Sequence, residues 1–230
     1  MPGPAMIAFD SLAVDVDAVL RAQGADPATV RARSGRLVAH AERAVVEGAA
    51  LLAPTVARNR RAITVVRHDQ IRLEGGALLS GPLVTRELGK AQEVVAIIVT
   101  IGDRLEALVS NLIPAEPAFA LALDGFGSAA VQAVADAACE RIRVEAAAAG
   151  MQTTLPLSPG MVGWDLGTGQ RQIMALLGES NASVRLTRSS LLLPKKSLSM
   201  VLGIGVEVTA EGSVCDLCNL ADTCRHRPPR

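Results

Sequence analysis

The stretch EVVAIIVTIGD, residues 93–103, constrains the fold more than any other part of the chain. Its unbroken Val/Ile run is that of a strand buried on both faces. Gly102-Asp103 closes the run, and RLEALVSNLI continues at once as a helix. Long apolar helices are available to pack nearby. Val14 to Gln23 reads as a helix stopped by Gly24, and Asp26-Pro27 supplies a cap and first-turn proline for a long helix reaching about Leu52, ended by Pro54. Leu37, Ala41, Ala44, Val45 and Ala49 give that helix a buried face. Pro117 to Ala149 reads as a helical stretch interrupted by the glycines of DGFGS. There Ser128 is expected to cap a central helix that carries Val131, Val134, Ala138 and Ile142 on one side.

Strand signals occupy the intervals. ITVVRHDQIRLEGG reads as two short strands about a turn at residues 67–70, closed by Gly75 and Gly76. In the second half, TTLPLSPGMVGWDLGTG is a loop with defined turns, GQRQIMALLG a short helix, VRLT a strand and SLSMVLGIGVEV a longer strand. The order predicts an α+β protein, with long helices packed on a mixed or antiparallel sheet. Three regions are expected: an N-terminal helical and strand region at 1–114, a region with the Gly/Pro loop at 115–212, and a cysteine-rich tail at 213–230.

Charge and composition narrow the function. Among 230 residues, 23 basic and 23 acidic side chains cancel, so no nucleic acid and no anionic membrane is expected as a partner. The start MPGPAMIAFD lacks a basic n-region, and no apolar run approaches the roughly 18 residues of a membrane span. A cytoplasmic location is the expectation. Neither a dinucleotide glycine fingerprint nor a phosphate-cradling loop is present.

The tail CDLCNLADTCRHRPPR places Cys215, Cys218 and Cys224 within ten residues. Two residues between thiolates let both sulfurs turn toward one ion, so these three are candidate metal ligands, with Cys139, His226 or an outside group as the fourth. Zinc and an iron–sulfur cluster both satisfy such a set. The plainer reading is unligated thiols. Plain readings also stand beside the other conspicuous residues: Cys139 as a packing residue on an apolar helix, His40 and His68 as surface or capping groups, Trp164 as a core anchor, and Lys195-Lys196 as a solvated strand start.

LSPGM at 157–161, VRLTRSSLLLPKKSLSMVLGIGV at 184–206 and LALDGFGSAAVQAVADAACERIR at 121–143 together resemble the reactivation domain of cobalamin-dependent methionine synthase, most closely its short free-standing relatives. The resemblance implies a domain that binds S-adenosylmethionine and caps a corrinoid. In that family, an inactive Co(II) corrinoid takes up one electron, and the resulting Co(I) is trapped by methyl transfer from the sulfonium. It implies Ser158, Pro159, Gly160 and Met161 as cofactor-binding positions, to which Arg188 is added as a candidate from this chain's own residues, and cobalamin carried by a partner, either a corrinoid-binding protein or a methionine synthase or methyltransferase subunit. The family's loop reads R-x-x-P-G-Y. Here its arginine position is Pro156 and its tyrosine position Met161, while Arg188 stands where the family commonly has an acid. Proline cannot supply a bidentate guanidinium, so Arg188 or Arg171 is the candidate carboxylate clamp. The expected function is an accessory subunit supporting reductive methylation of a partner's corrinoid. The alternatives are a non-catalytic corrinoid-protein partner, or an iron–sulfur redox protein donating electrons to a corrinoid.

Overall fold

The computed structural model describes residues 14–218. Within them, β1 (Thr55–Val66), β2 (Gln70–Leu73), β3 (Leu78–Ser80), β4 (Glu93–Thr100), β5 (Gln152–Thr153) and β8 (Ser197–Gly205) form a sheet in the order β3-β2-β1-β4-β8-β5. Every pairing in it is antiparallel. A separate small hairpin pairs β6 (Arg185–Leu186) with β7 (Leu192–Leu193). The strand expected at residues 93–103 is the central one, in register with β1 from Thr55↔Thr100 and with β8 from Thr100↔Ser197.

Alternation along β4 divides the interior into two cores. Val95, Ile97 and Val99 face one side, against α1 (Val16–Ala22), α3 (Gly35–Ala49), α5 (Arg104–Leu112) and α6 (Pro117–Ala148). Val94, Ala96 and Ile98 face the other, against α4 (Pro82–Leu88), α7 (Leu166–Leu177) and Trp164. Each fully buried Val or Ile contributes roughly 1.5–3 kcal/mol relative to exposure, an upper figure since unfolded chains already bury some area. The absence of a polar face on β4 follows from being covered twice. By length and composition α6 would cross a membrane, but most of its apolar window is buried inside the protein, as befits a core helix.

Two helices differ from the sequence expectation. The long helix predicted from Pro27 to Leu52 is two, α2 (Pro27–Arg33) and α3, because Ser34 leaves helical geometry at φ −150°, ψ 86° and accepts a bond from the Leu37 N–H. A serine followed by glycine favours this local bond over continuing the helix. The predicted break at DGFGS does not occur: α6 runs unbroken for 32 residues. Its glycines are points of close approach instead. A β-carbon at Gly125 would lie 2.7 Å from Gln23 Cγ on the chain leaving α1, and one at Gly127 would lie 2.9 Å from Leu105 Cδ2 of α5. Packing on two neighbours outweighs the roughly 1 kcal/mol each glycine costs in helix propensity. Ser128 therefore lies inside the helix, donating to the Asp124 carbonyl at 3.2 Å.

Candidate functional site

The Gly/Pro loop begins where Leu157, fully buried, exchanges two 2.9 Å backbone bonds with Val201 of β8. Beyond it the chain leaves the sheet and folds on itself. The Met161 N–H donates to the Ser158 carbonyl at 3.2 Å, Trp164 N–H to the Met161 carbonyl at 2.9 Å, and Gly160 N–H to the Trp164 carbonyl at 2.9 Å. The Ser158 N–H also points at Met161 Sδ, 3.3 Å away. Such winding requires left-handed backbone at Gly160 (φ 95°) and Gly163 (φ 87°), which only glycine adopts without strain.

Trp164 holds the turn from beneath. It is 1% exposed, and its indole N–H donates to Gln172 Oε1 at 3.3 Å, while Gln172 Nε2 donates to Ser80 Oγ at 2.7 Å. Pro159 presses on α7 so closely that a β-carbon at Gly169 would lie 2.8 Å from both Pro159 Cβ and Trp164 Cε2. The outer surface stays open. Gly160 is exposed and Val162 is 57% exposed. The turn is thus a fixed shape presented to solvent, and Ser158, Pro159, Gly160 and Met161 all belong to it.

Beside the turn starts α7, capped by Asp165, whose carboxylate accepts from Thr168 N–H at 2.8 Å. That backbone bond, with the Thr168 hydroxyl and the charge of Arg171, holds the Asp165 carboxyl below its ordinary range. The β6–β7 turn, Thr187 to Ser190, approaches the same first turn of α7: a β-carbon at Gly167 would lie 3.1 Å from Ser190 Oγ and 3.4 Å from Arg171 Nη1. Arg188 is exposed on that hairpin turn and makes no ion pair among the described residues. Of the two arginines considered for a carboxylate clamp, Arg171 adjoins Asp165.

The P-K-K-S-x-S segment is largely architectural. Lys196, its side chain only 14% exposed, bonds Asp124 Oδ1 and Ser128 Oγ of α6, each at 2.8 Å, and its N–H donates to Glu106 Oε1 of α5 at 2.8 Å. Ser197 Oγ donates to Thr100 Oγ1 at 2.9 Å, and Ser199 Oγ to Gln170 Oε1 at 2.9 Å. The segment therefore ties the start of β8 to α5, α6, α7 and β4. Lys195 and Lys196 both line a hollow of about 530 Å³ between α5 and α6.

Cys215 lies within a single 3-10 turn (Val214–Leu217) and Cys218 follows it, with the Cys218 N–H donating to the Cys215 carbonyl at 3.3 Å. Ser213 caps it through the Asp216 carboxylate. Cys224 and His226 lie outside the described residues, and among those described no three Cys, His, Asp or Glu side chains converge as metal ligands. Cys139 belongs elsewhere. Its Sγ lies 3.5 Å from Met200 Sδ, between α6 and β8, where burial pushes the thiol up to about 12, whereas Leu217 packs on the opposite core. His40 is half-buried beside Phe119, with ring centroids 6.2 Å apart.

Sequence reading overlooked a second hollow, of about 480 Å³, between the ends of β1 and β4, the start of α5 and the residues leading into β6. Its signal was faint, since its polar residues are scattered from Thr55 to Arg185.

Comparison with known proteins locates the fold. No protein-family model and no curated protein sequence matches the chain. Among solved structures, the crystal structure of the MetH reactivation domain bound to AdoHcy matches with a TM-score of 0.63 and 16% identity, over 93% of this chain and 82% of that one. The chain thus has an α+β fold of the reactivation-domain type. The resemblance read from LSPGM and its companion segments holds at the level of the fold.

Proposed function

We propose that the chain binds S-adenosylmethionine, or its demethylated product, at the Ser158–Met161 turn and presents it to a corrinoid on a partner protein. The observation that carries this reading is the exposed, left-handed Gly160 on a turn fixed from beneath by Trp164. It lies in a fold matching, over 93% of the chain, a domain crystallised with AdoHcy. The sulfonium donor supplies an activated methyl group and the corrinoid its nucleophilic metal. The chain's own task is positioning. Gly160 lets the backbone approach a ligand closely, Met161 and Val162 offer apolar surface, and Arg171 or Arg188 supplies the cation for a carboxylate.

A second reading is favoured by Pro156 and Met161, which give the turn neither guanidinium nor phenol: a partner that covers a corrinoid without donating a methyl group. The Cys215–Cys218 turn adds a route for metal or cluster binding with Cys224, and so for electron delivery to that corrinoid. Calorimetry of the full chain with S-adenosylmethionine separates the first two readings. Saturable binding with a change in Trp164 emission that disappears in Gly160→Val supports the donor site. Retained affinity for a corrinoid protein without donor binding moves the assignment to the second.

A further inference from the structure

We infer that the 480 Å³ hollow at the ends of β1 and β4 is a binding site for an α-amino-acid zwitterion, separate from the Ser158–Met161 turn. Its size falls in the range of small-molecule sites, roughly 300–1,000 Å³. Three charged side chains line it, Asp103, Glu106 and Arg185, and none makes an ion pair among the described residues. Asp103 is the more telling because it occupies the N-cap of α5, where an aspartate normally accepts an intrahelical bond, yet it makes none. Glu106 spends one oxygen on the Lys196 N–H, leaving the other available. One guanidinium and two carboxylates lining the same hollow match a ligand with a carboxylate at one end and an ammonium at the other.

The surrounding frame is rigid. Thr100 Oγ1 receives the Gly102 N–H at 3.2 Å and the Ser197 hydroxyl at 2.9 Å, and donates to the Lys196 carbonyl at 3.3 Å. Arg104 braces the Leu52 carbonyl at 3.1 Å next to Ala53 of the wall. Ala182 (φ 55°) and Ser183 (φ 60°) both hold left-handed backbone where they line the hollow. Strain of this kind, at non-glycine residues facing a cavity, persists where the surroundings fix it and is concentrated at ligand sites. Thr55 and Ser183 add hydroxyls for the ligand's polar atoms.

The ligand is either a free amino acid or the methionine end of an S-adenosyl nucleoside, and the test treats these as two arms. L-Methionine is titrated into the full chain by calorimetry beside N-acetyl-L-methionine, which lacks the ammonium, and the methyl ester, which lacks the carboxylate. S-Adenosylhomocysteine is titrated into Gly160→Val, in which the turn is blocked. Binding in either arm is expected to weaken roughly 10- to 100-fold in Arg185→Met and in Asp103→Asn, the effect of losing one charge-assisted bond. Both variants should melt as the parent does, since neither side chain has an ion-pair partner to lose among the described residues. No zwitterion binding at millimolar concentration in either arm, or binding indifferent to Arg185 and Asp103, overturns the inference. It does so without touching the turn, which Trp164 fluorescence reports separately.

Discussion

Replacing Gly169 by alanine tests whether the Ser158–Trp164 turn owes its shape to the helix beneath it. The added carbon would stand 2.8 Å from Pro159 Cβ and from Trp164 Cε2. Carbon atoms rest about 3.5–4.0 Å apart, so the turn must move away by roughly 0.7–1.2 Å. Overpacking on this scale costs about 1–3 kcal/mol. Alanine returns about 1 kcal/mol of helix propensity inside α7, which leaves a net loss of up to about 2 kcal/mol. For a domain of this size, that lowers the melting temperature by up to about 4–8 °C. The readout can be local as well as global, because Trp164 is the single tryptophan of a chain without tyrosine. Its emission should move to the red and its acrylamide quenching should rise. Gly35→Ala serves as the control, since nothing lies within 4 Å of the added carbon there, and neither measurement should worsen. A Gly169→Ala protein that melts higher, with tryptophan emission unchanged, would refute the packing argument.

Three further outcomes follow from other contacts. Lys196→Met strands Ser128 and the 48%-exposed Asp124 and should cost about 1–2 kcal/mol in urea unfolding at unchanged m, while Lys195→Met stays within about 0.5 kcal/mol of the parent. The Cys139 thiol is raised from its ordinary 9.0 to about 12 by burial, with Asp136 adding, so the folded state favours the protonated form. Its contribution to stability is full below pH 9 and is lost as pH rises toward 12, and iodoacetamide at pH 8 should label Cys139 only under unfolding conditions, as peptide mapping will show. Asp165 is held low by the Thr168 N–H, so its cap is present above the ordinary carboxylate range and lost as pH falls through its own lowered value. Asp165→Ala should therefore melt lower at neutral pH, the deficit should shrink in acid, and Asp165→Asn should recover most of it.

Where one physical signal dominates, the sequence was a sufficient guide. The Val/Ile run of β4 cannot face water, and its central place between two cores followed directly from that. The hairpin about residues 67–70 was legible from its flanking apolar residues, yet the first half of β1 was not. There TVARNRR carries charged side chains that only the folded protein pairs, Arg58 with Glu145 at 2.7 Å and Arg60 with Glu93. Ser34 and the glycines of α6 mislead in opposite directions. A serine within an apparently continuous helix ended it by capping the next, while two glycines that resemble a break mark where α1 and α5 pack closest. The position of the LSPGM turn followed from its residues, but its rigidity rests on Trp164 and Gln172, and Gln172 bears no motif. The hollow between β1 and β4 was invisible, because its charges come from segments some eighty residues apart that meet only at one end of the sheet.

The central claim, that the turn around Gly160 receives an S-adenosyl ligand, is met most directly by titrating S-adenosylhomocysteine into the parent chain while following Trp164 emission. Saturable change in that emission, absent in Gly160→Val and intact in Arg185→Met, is the predicted result. A flat titration at millimolar ligand, or an identical curve from Gly160→Val, would contradict it.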